Sequence, residues 1–220
     1  MILVTLYLSY FMIAIALLTS LTVYIRPTTS LYLKIFPIFL TVILIIGLRI
    51  GYLSSHYKSN IGFYNLFTTI AFIFYFFSLQ QIIVNKKVKR IIVYIAFIYP
   101  LITLLNIFWI QTGAVFNTIT FSLGCLLIVM ICIYYFLELF QLTSSINLLT
   151  QPSFWICSGL LFYFSCSFPL LGLVNFLKSP SKIIGNSLAI ISNLLDVLLY
   201  SSFTIAFLCR IKIRKSMSSS

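Results

Sequence analysis

Three ionisable side chains of this 220-residue sequence stand at membrane depth in its long apolar runs: Arg49, Glu138 and Asp196, whereas Lys34 lies near the end of the run that begins at Leu31. An ionisable group at membrane depth is costly and marks a functional position by default. Asp196 belongs to a stripe. Asn186, Asn193, Asp196 and Tyr200 follow spacings of seven, three and four residues, which places them on one helix face. Lipid offers such a face no hydrogen-bond partners, so it should turn into a bundle. A second stripe runs through Asn117, Thr120, Gly124, Ile131, Tyr135 and Glu138, and a third through Ser158, Ser165 and Gly172. Stripes of this kind serve helix packing or line a cavity, and the residue types fit both. For a ligand site the candidates are Asn186, Asn193, Asp196, Tyr200, Arg49 and Asn117. Arg49 either turns inward to pair with Asp196 or snorkels to the interface. Glu138 lies close enough to a span end to be solvated or to meet the basic run Lys86-Lys87-Val88-Lys89-Arg90.

Several chemistries lack their residues. A retinal Schiff base needs a lysine within the last span, and none occurs between Lys182 and Lys212. Bis-histidine haem ligation needs two histidines, and His56 is alone. A two-aspartate protease needs a second Asp beside Asp196. The cysteines Cys125, Cys132, Cys157, Cys166 and Cys209 contain no CxxC pair and read as small buried hydrophobes. No enzymatic activity, metal or cofactor is expected.

The elements that must position these groups follow from composition. Hydrophobic residues make up 62% of the chain and charged residues 7%, which is too little polar surface for a soluble fold. The net charge is +12, but the cations sit at the ends of apolar runs, where they read as membrane anchors rather than a nucleic-acid footprint. A membrane helix needs about 20 mainly apolar residues. Seven runs qualify: Ile2 to Ile25, Leu31 to Ser54, Ile61 to Val84, Ile91 to Ile110, Ala114 to Phe140, Ser153 to Leu173 and Asn186 to Cys209. Stretches such as Ile43-Leu44-Ile45-Ile46 are apolar on every side, unlike the alternating strands of an outer-membrane barrel. The first run lacks a basic leader and a small-residue cleavage site, so it is expected to be a retained span. Arg26-Pro27-Thr28-Thr29-Ser30 and Gln111-Thr112-Gly113 separate spans, and Pro152 suits the opening turn of the sixth. Pro37, Pro100 and Pro169 lie inside or near span ends, where kinks are expected. Trp109 and Trp155 sit at span ends as belt residues.

The expected fold is therefore an all-α membrane protein, a seven-transmembrane-helix bundle. It forms a single domain over residues 1–210, followed by a short basic and Ser-rich tail over 211–220. One side of the membrane receives ten cations: Arg26, Lys34, Lys86, Lys87, Lys89, Arg90, Arg210, Lys212, Arg214 and Lys215. The other receives four, Arg49, Lys58, Lys178 and Lys182. The cation-rich side should be cytoplasmic, with the N-terminus outside and the C-terminus inside. The fifth-to-sixth connection, Gln141 to Thr150, should also be cytoplasmic yet carries no cation. The run Lys86, Lys87, Lys89, Arg90 is a candidate docking surface for anionic lipid or an acidic partner.

Three stretches carry a likeness: Gly62-Phe63-Tyr64-Asn65-Leu66-Phe67, Pro152 to Tyr163, and Asn193 to Tyr200 leading to Ala206-Phe207-Leu208-Cys209. Together they resemble an uncharacterised family of small seven-span membrane proteins of Bacteroidota, often encoded beside sensor histidine kinases. The resemblance implies a sensory or accessory role in the cell inner membrane, with a histidine kinase as partner. It also implies Asn as the usual residue where this chain has Asp196. The expected function is a non-enzymatic, receptor-like sensory protein that signals through a separate chain. The alternatives are a small transporter of a neutral or anionic solute, or a structural subunit of a membrane complex.

The orientation is directly testable. A cytoplasm-active reporter fused after Ser220 and a periplasm-active reporter fused after Ser59 should both be active. The opposite pattern at both sites would invert the assignment.

Overall fold

In a computed structural model, the backbone is described for residues 2–25, 30–56, 61–111, 115–141, 148–172 and 182–217. The seven long helices formed by these residues are α1 (Ile2–Ile25), α2 (Leu31–His56), α3 (Ile61–Ile82), α4 (Lys86–Leu105), α5 (Thr118–Phe140), α6 (Pro152–Gly172) and α7 (Lys182–Met217). Each contains a stretch long and apolar enough to cross a membrane, so the protein is a multi-pass helical membrane protein. Arg26, Pro27, Lys58, Thr112, Gly113, Lys178 and most of the connection after Gln141 lie outside the described residues.

Local chemistry sets the helix ends, and three of them differ from the apolar runs. The fourth helix starts at Lys86 rather than Ile91, so the basic run forms its opening turns. Asn85 is the reason. Its Oδ1 accepts from the backbone N–H of Lys87 at 2.9 Å and, more weakly, of Val88 at 3.4 Å, satisfying donors that a helix start leaves open. At its far end α4 widens into a π-helical turn over Asn106–Ile110, closed by Gln111 N–H donating to Asn106 C=O at 2.7 Å. The fifth helix begins at Thr118 rather than Ala114, because side chains of other segments hold residues 115–117 out of the helix. The seventh helix continues to Met217. The basic segment expected as a tail is thus mostly helical. It has no Gly or Pro to stop it, and cations favour a helix C-terminus.

The helices form a closed ring. α7 packs against both α6 and α1, α1 against α2, α3 against α4, and α5 against α6, while α3 also meets α2 and α5. Two tyrosines tie α1 to α2 at opposite ends: Tyr10 Oη donates to Gly47 C=O at 2.9 Å and Tyr24 Oη to Lys34 C=O at 2.8 Å. Apolar side chains face outward as well as inward. Leu18, Phe97, Phe108 and Trp109 are among the most exposed large hydrophobic residues, as a lipid-facing perimeter requires. Hydroxyl groups within the spans return to their own helix, as in Thr19 Oγ1 to Ile15 C=O and Ser201 Oγ to Val197 C=O.

Two aromatic clusters fill the interior. Phe36 of α2 meets Phe74 of α3 and Phe203 and Phe207 of α7, edge to face, with ring centres 5.1, 5.0 and 5.6 Å apart. Phe72 of α3 meets Tyr99 of α4, Phe121 of α5 and Phe164 of α6 at 5.3, 5.8 and 5.2 Å. The second cluster depends on Gly124 of α5. A Cβ at this position would lie 2.7 Å from the Phe72 ring.

Gly124→Val should therefore lower thermal stability in detergent. Overpacking a filled core costs about 1–3 kcal/mol, more than the few tenths that relief of glycine's helix penalty returns. Combining it with Phe72→Leu should cost less than the sum of the two single changes, which a double-mutant cycle reads directly.

Candidate functional site

Above the Phe36 cluster, toward the end of the bundle where α1, α3, α5 and α7 begin, the ring encloses a cavity of about 400 Å³. Its walls come from α1 (Ser9, Tyr10), α2 (Ile43, Gly47), α3 (Tyr64 to Tyr75), the entry to α5 (Phe116, Phe121), α6 (Tyr163, Phe164) and α7 (Asn193, Asp196, Tyr200). The wall mixes phenols, hydroxyls, one amide and one carboxyl with aromatic rings and aliphatic carbon.

Asp196 lies deep in the bundle yet keeps exposed surface, because that surface faces the cavity. The Tyr163 phenol of α6 stands beside it in the cavity wall. One turn earlier on α7, Asn193 Nδ2 donates to Thr5 Oγ1 of α1 at 3.1 Å. One turn later, Tyr200 is buried with its ring 5.9 Å from Phe203, edge to face. The stripe on α7 thus contacts both neighbours and the cavity together. The 3.6-residue period explains this, since positions 193, 196 and 200 stay within one face while the helix crosses from rim to floor.

The other candidates fall elsewhere. Asn186 is exposed at the start of α7 and does not line the cavity. Arg49 is exposed near the end of α2, two residues beyond the cavity wall at Gly47. Of the two expected placements, inward toward Asp196 or outward to the interface, the exposed side chain fits the outward one, where water or lipid headgroups can solvate it. Asn117 is buried, but behind the cavity wall. Neither polar atom of its side chain has a partner among the described residues. The α5 stripe does turn inward, with Thr120, Gly124, Ile131 and Tyr135 all buried. It packs against neighbouring helices rather than lining the cavity. The α6 stripe does not hold as a face. Ser165 is exposed, and the buried side runs through Cys157, Gly159, Leu160, Phe164 and Ser167. Gly159 sets that face, since a Cβ there would lie 2.7 Å from Ser202 Cβ of α7.

Glu138 has a structural role at the opposite end. Its carboxylate accepts from Val84 N–H at 2.9 Å and Asn85 N–H at 2.8 Å. It thereby meets the basic connection through backbone amides, and its negative charge lies at the N-terminus of α4, where the helix dipole favours it. Lys86, Lys87 and Arg90 remain exposed and Lys89 is half-buried.

The residues that spacing did not single out are mainly aromatic. Tyr10, Tyr64, Tyr75 and Tyr163 bring phenols to the cavity wall beside Asp196 and Asn193. In a chain with 14 Tyr and 22 Phe, no local pattern distinguishes the few that converge. Asn65 was also missed as a positioning residue. Its Nδ2 donates to Val115 C=O at 2.9 Å and its Oδ1 accepts from Asn117 N–H at 3.0 Å. The amide brackets residue 116 and so holds Phe116 in the cavity wall. Gln111 braces the same segment, donating from Nε2 to Thr118 Oγ1 at 3.0 Å and accepting at Oε1 from Asn106 Nδ2 at 3.0 Å.

No family model, no curated protein and no solved structure matches this chain. The functional reading therefore rests on the cavity itself.

Asn65→Leu should detach Phe116 from the wall. The buried Asn117 N–H would lose its acceptor, at a cost of about 1–3 kcal/mol. Thermal unfolding in detergent should fall accordingly, and the Asn117 amide should exchange with deuterium faster while amides in the middle of α6 do not.

Proposed function

We propose that the protein is a non-enzymatic, receptor-like membrane protein that binds a small amphipathic molecule in the cavity and signals through a separate chain. The observation that carries this reading is the position of α7. The helix forms one wall of the cavity through Asn193, Asp196 and Tyr200, packs into the Phe36 cluster through Phe203 and Phe207, and continues as a basic helix to Met217. A ligand that alters the packing of α7 at one end has a continuous rigid element leading to the other. A cavity of about 400 Å³ with an apolar body and a few polar groups is also of the usual size for small-molecule sites, about 300–1,000 Å³.

The partner would meet the end that carries Lys86, Lys87, Lys89 and Arg90 in the first turns of α4 and the basic end of α7. An acidic surface on a histidine kinase in the bacterial inner membrane fits this chemistry. The transporter alternative is less favoured, because the Phe36, Phe74, Phe203 and Phe207 rings close the bundle beneath the cavity. An anionic solute suits the cavity least, because its wall contains Asp196 and, among the described residues, no Lys, Arg or His.

Affinity purification from native membranes should recover a histidine kinase with the full chain. Replacing Lys86, Lys87, Lys89 and Arg90 by Gln should abolish that recovery while reporter topology is kept. Recovery unchanged by the substitutions would remove this docking surface. Time-dependent accumulation of a cavity ligand in proteoliposomes containing the purified chain would favour transport instead.

A further inference from the structure

We infer that the cavity ligand is an organic cation, an alkylammonium or quaternary ammonium group attached to a small apolar body. The inference rests on the ligand-binding reading and specifies its chemistry. Among the described residues, Asp196 is the one carboxylate of the wall, and no Lys, Arg or His side chain lines it. Arg49, the candidate partner, is exposed outside the wall. The Tyr163 phenol beside it can supply one hydrogen bond, whereas a carboxylate has about four acceptor sites. The surface that Asp196 turns to the cavity therefore has acceptor capacity to spare.

The surroundings of the carboxyl select the type of cation. Tyr10, Tyr64, Tyr75, Tyr163 and Tyr200 line the same cavity as Asp196. An ammonium beside the carboxylate would thus also be near several aromatic rings, whose negative faces attract cations. Hydrated sodium or potassium would need several oxygen ligands in place of rings. A ring-rich wall instead matches the weakly hydrated surface of an alkylated ammonium, as aromatic cages for quaternary ammonium do. The apolar remainder of the ligand would lie against Phe72 and Phe164 of the same wall.

The probe is benzyltrimethylammonium, compared with its uncharged carbon isostere neopentylbenzene and with benzenesulfonate. Binding to the purified full chain in nanodiscs is measured by equilibrium dialysis. Partition into lipid is subtracted with Ala189→Phe, which places a ring in the cavity from the α7 wall. The ammonium should bind at least about tenfold more tightly than the isostere, the scale expected of a charge pair with cation–π support. Asp196→Asn should remove most of that preference. The comparison between probes is made on the unaltered protein, so it decides the matter even where Asp196→Asn fails to fold. Equal binding of ammonium and isostere, a preference for benzenesulfonate, or full displacement by equimolar sodium would overturn the cation assignment and leave the ligand-binding reading standing. If no probe distinguishes the unaltered protein from Ala189→Phe, both the assignment and the ligand-binding reading lose their support.

Discussion

Inside a hydrocarbon layer a polar group has no water to turn to, and this constraint organises the whole molecule. Backbone amides are satisfied by helices. Hydroxyls fold back on carbonyls of their own helix, as Thr19 and Ser201 do. The remaining amides, phenols and carboxyls must face the interior, and the helices have to be arranged so that these groups find one another. Asn193 reaches Thr5, Tyr10 reaches Gly47, and Asn65 reaches the chain on both sides of Phe116. Each of these bonds joins two segments, so satisfying the polar groups also sets which helices are neighbours.

Apolar attraction alone cannot make that selection, because lipid tails are as apolar as leucine. Close fit has to contribute, and two glycines provide it. Gly124 admits the Phe72 ring against α5, and Gly159 brings α6 against α7 at Ser202. Around these points large rings interlock edge to face, with Phe36 joining α2, α3 and α7, and Phe72 joining α3, α4, α5 and α6. The Phe36 cluster is dense and closed. The space toward the α1 start is not filled in the same way, and the cavity occupies it. The packed cluster at one end and the cavity at the other are thereby joined by the same helix, α7.

The two acids show how environment divides roles between like groups. Glu138 lies at a helix boundary and spends its oxygens on two backbone amides. Asp196 lies within the bundle, beside the Tyr163 phenol and facing the cavity. The first is used by the fold at a helix boundary, and the second turns surface to open space. That difference, rather than the mere presence of a charge at membrane depth, makes Asp196 the centre of the candidate site.

Much of the fold was legible because span length and apolarity are local properties. The start of α1 at Ile2 and its end at Ile25, the opening of α6 at Pro152, and the end of α5 at Phe140 all follow from runs and breaks in the chain. The inward face of α7 was legible in part, since a helical period fixes which residues share a face: Asn193, Asp196 and Tyr200 line the cavity and Asn186 does not. Periodicity could not show where along that face the cavity ends. Nor could it show that Ser165 faces out, that Asn85 draws the basic run into α4, or that Tyr163 rather than Arg49 meets Asp196. These outcomes depend on the rotation and depth of one helix against another, which are set by contacts between residues far apart in the chain. The sequence by itself determined seven apolar helices and the polar stripe. The tertiary structure decided which polar groups converge, because convergence is a property of neighbouring helices that no single helix contains.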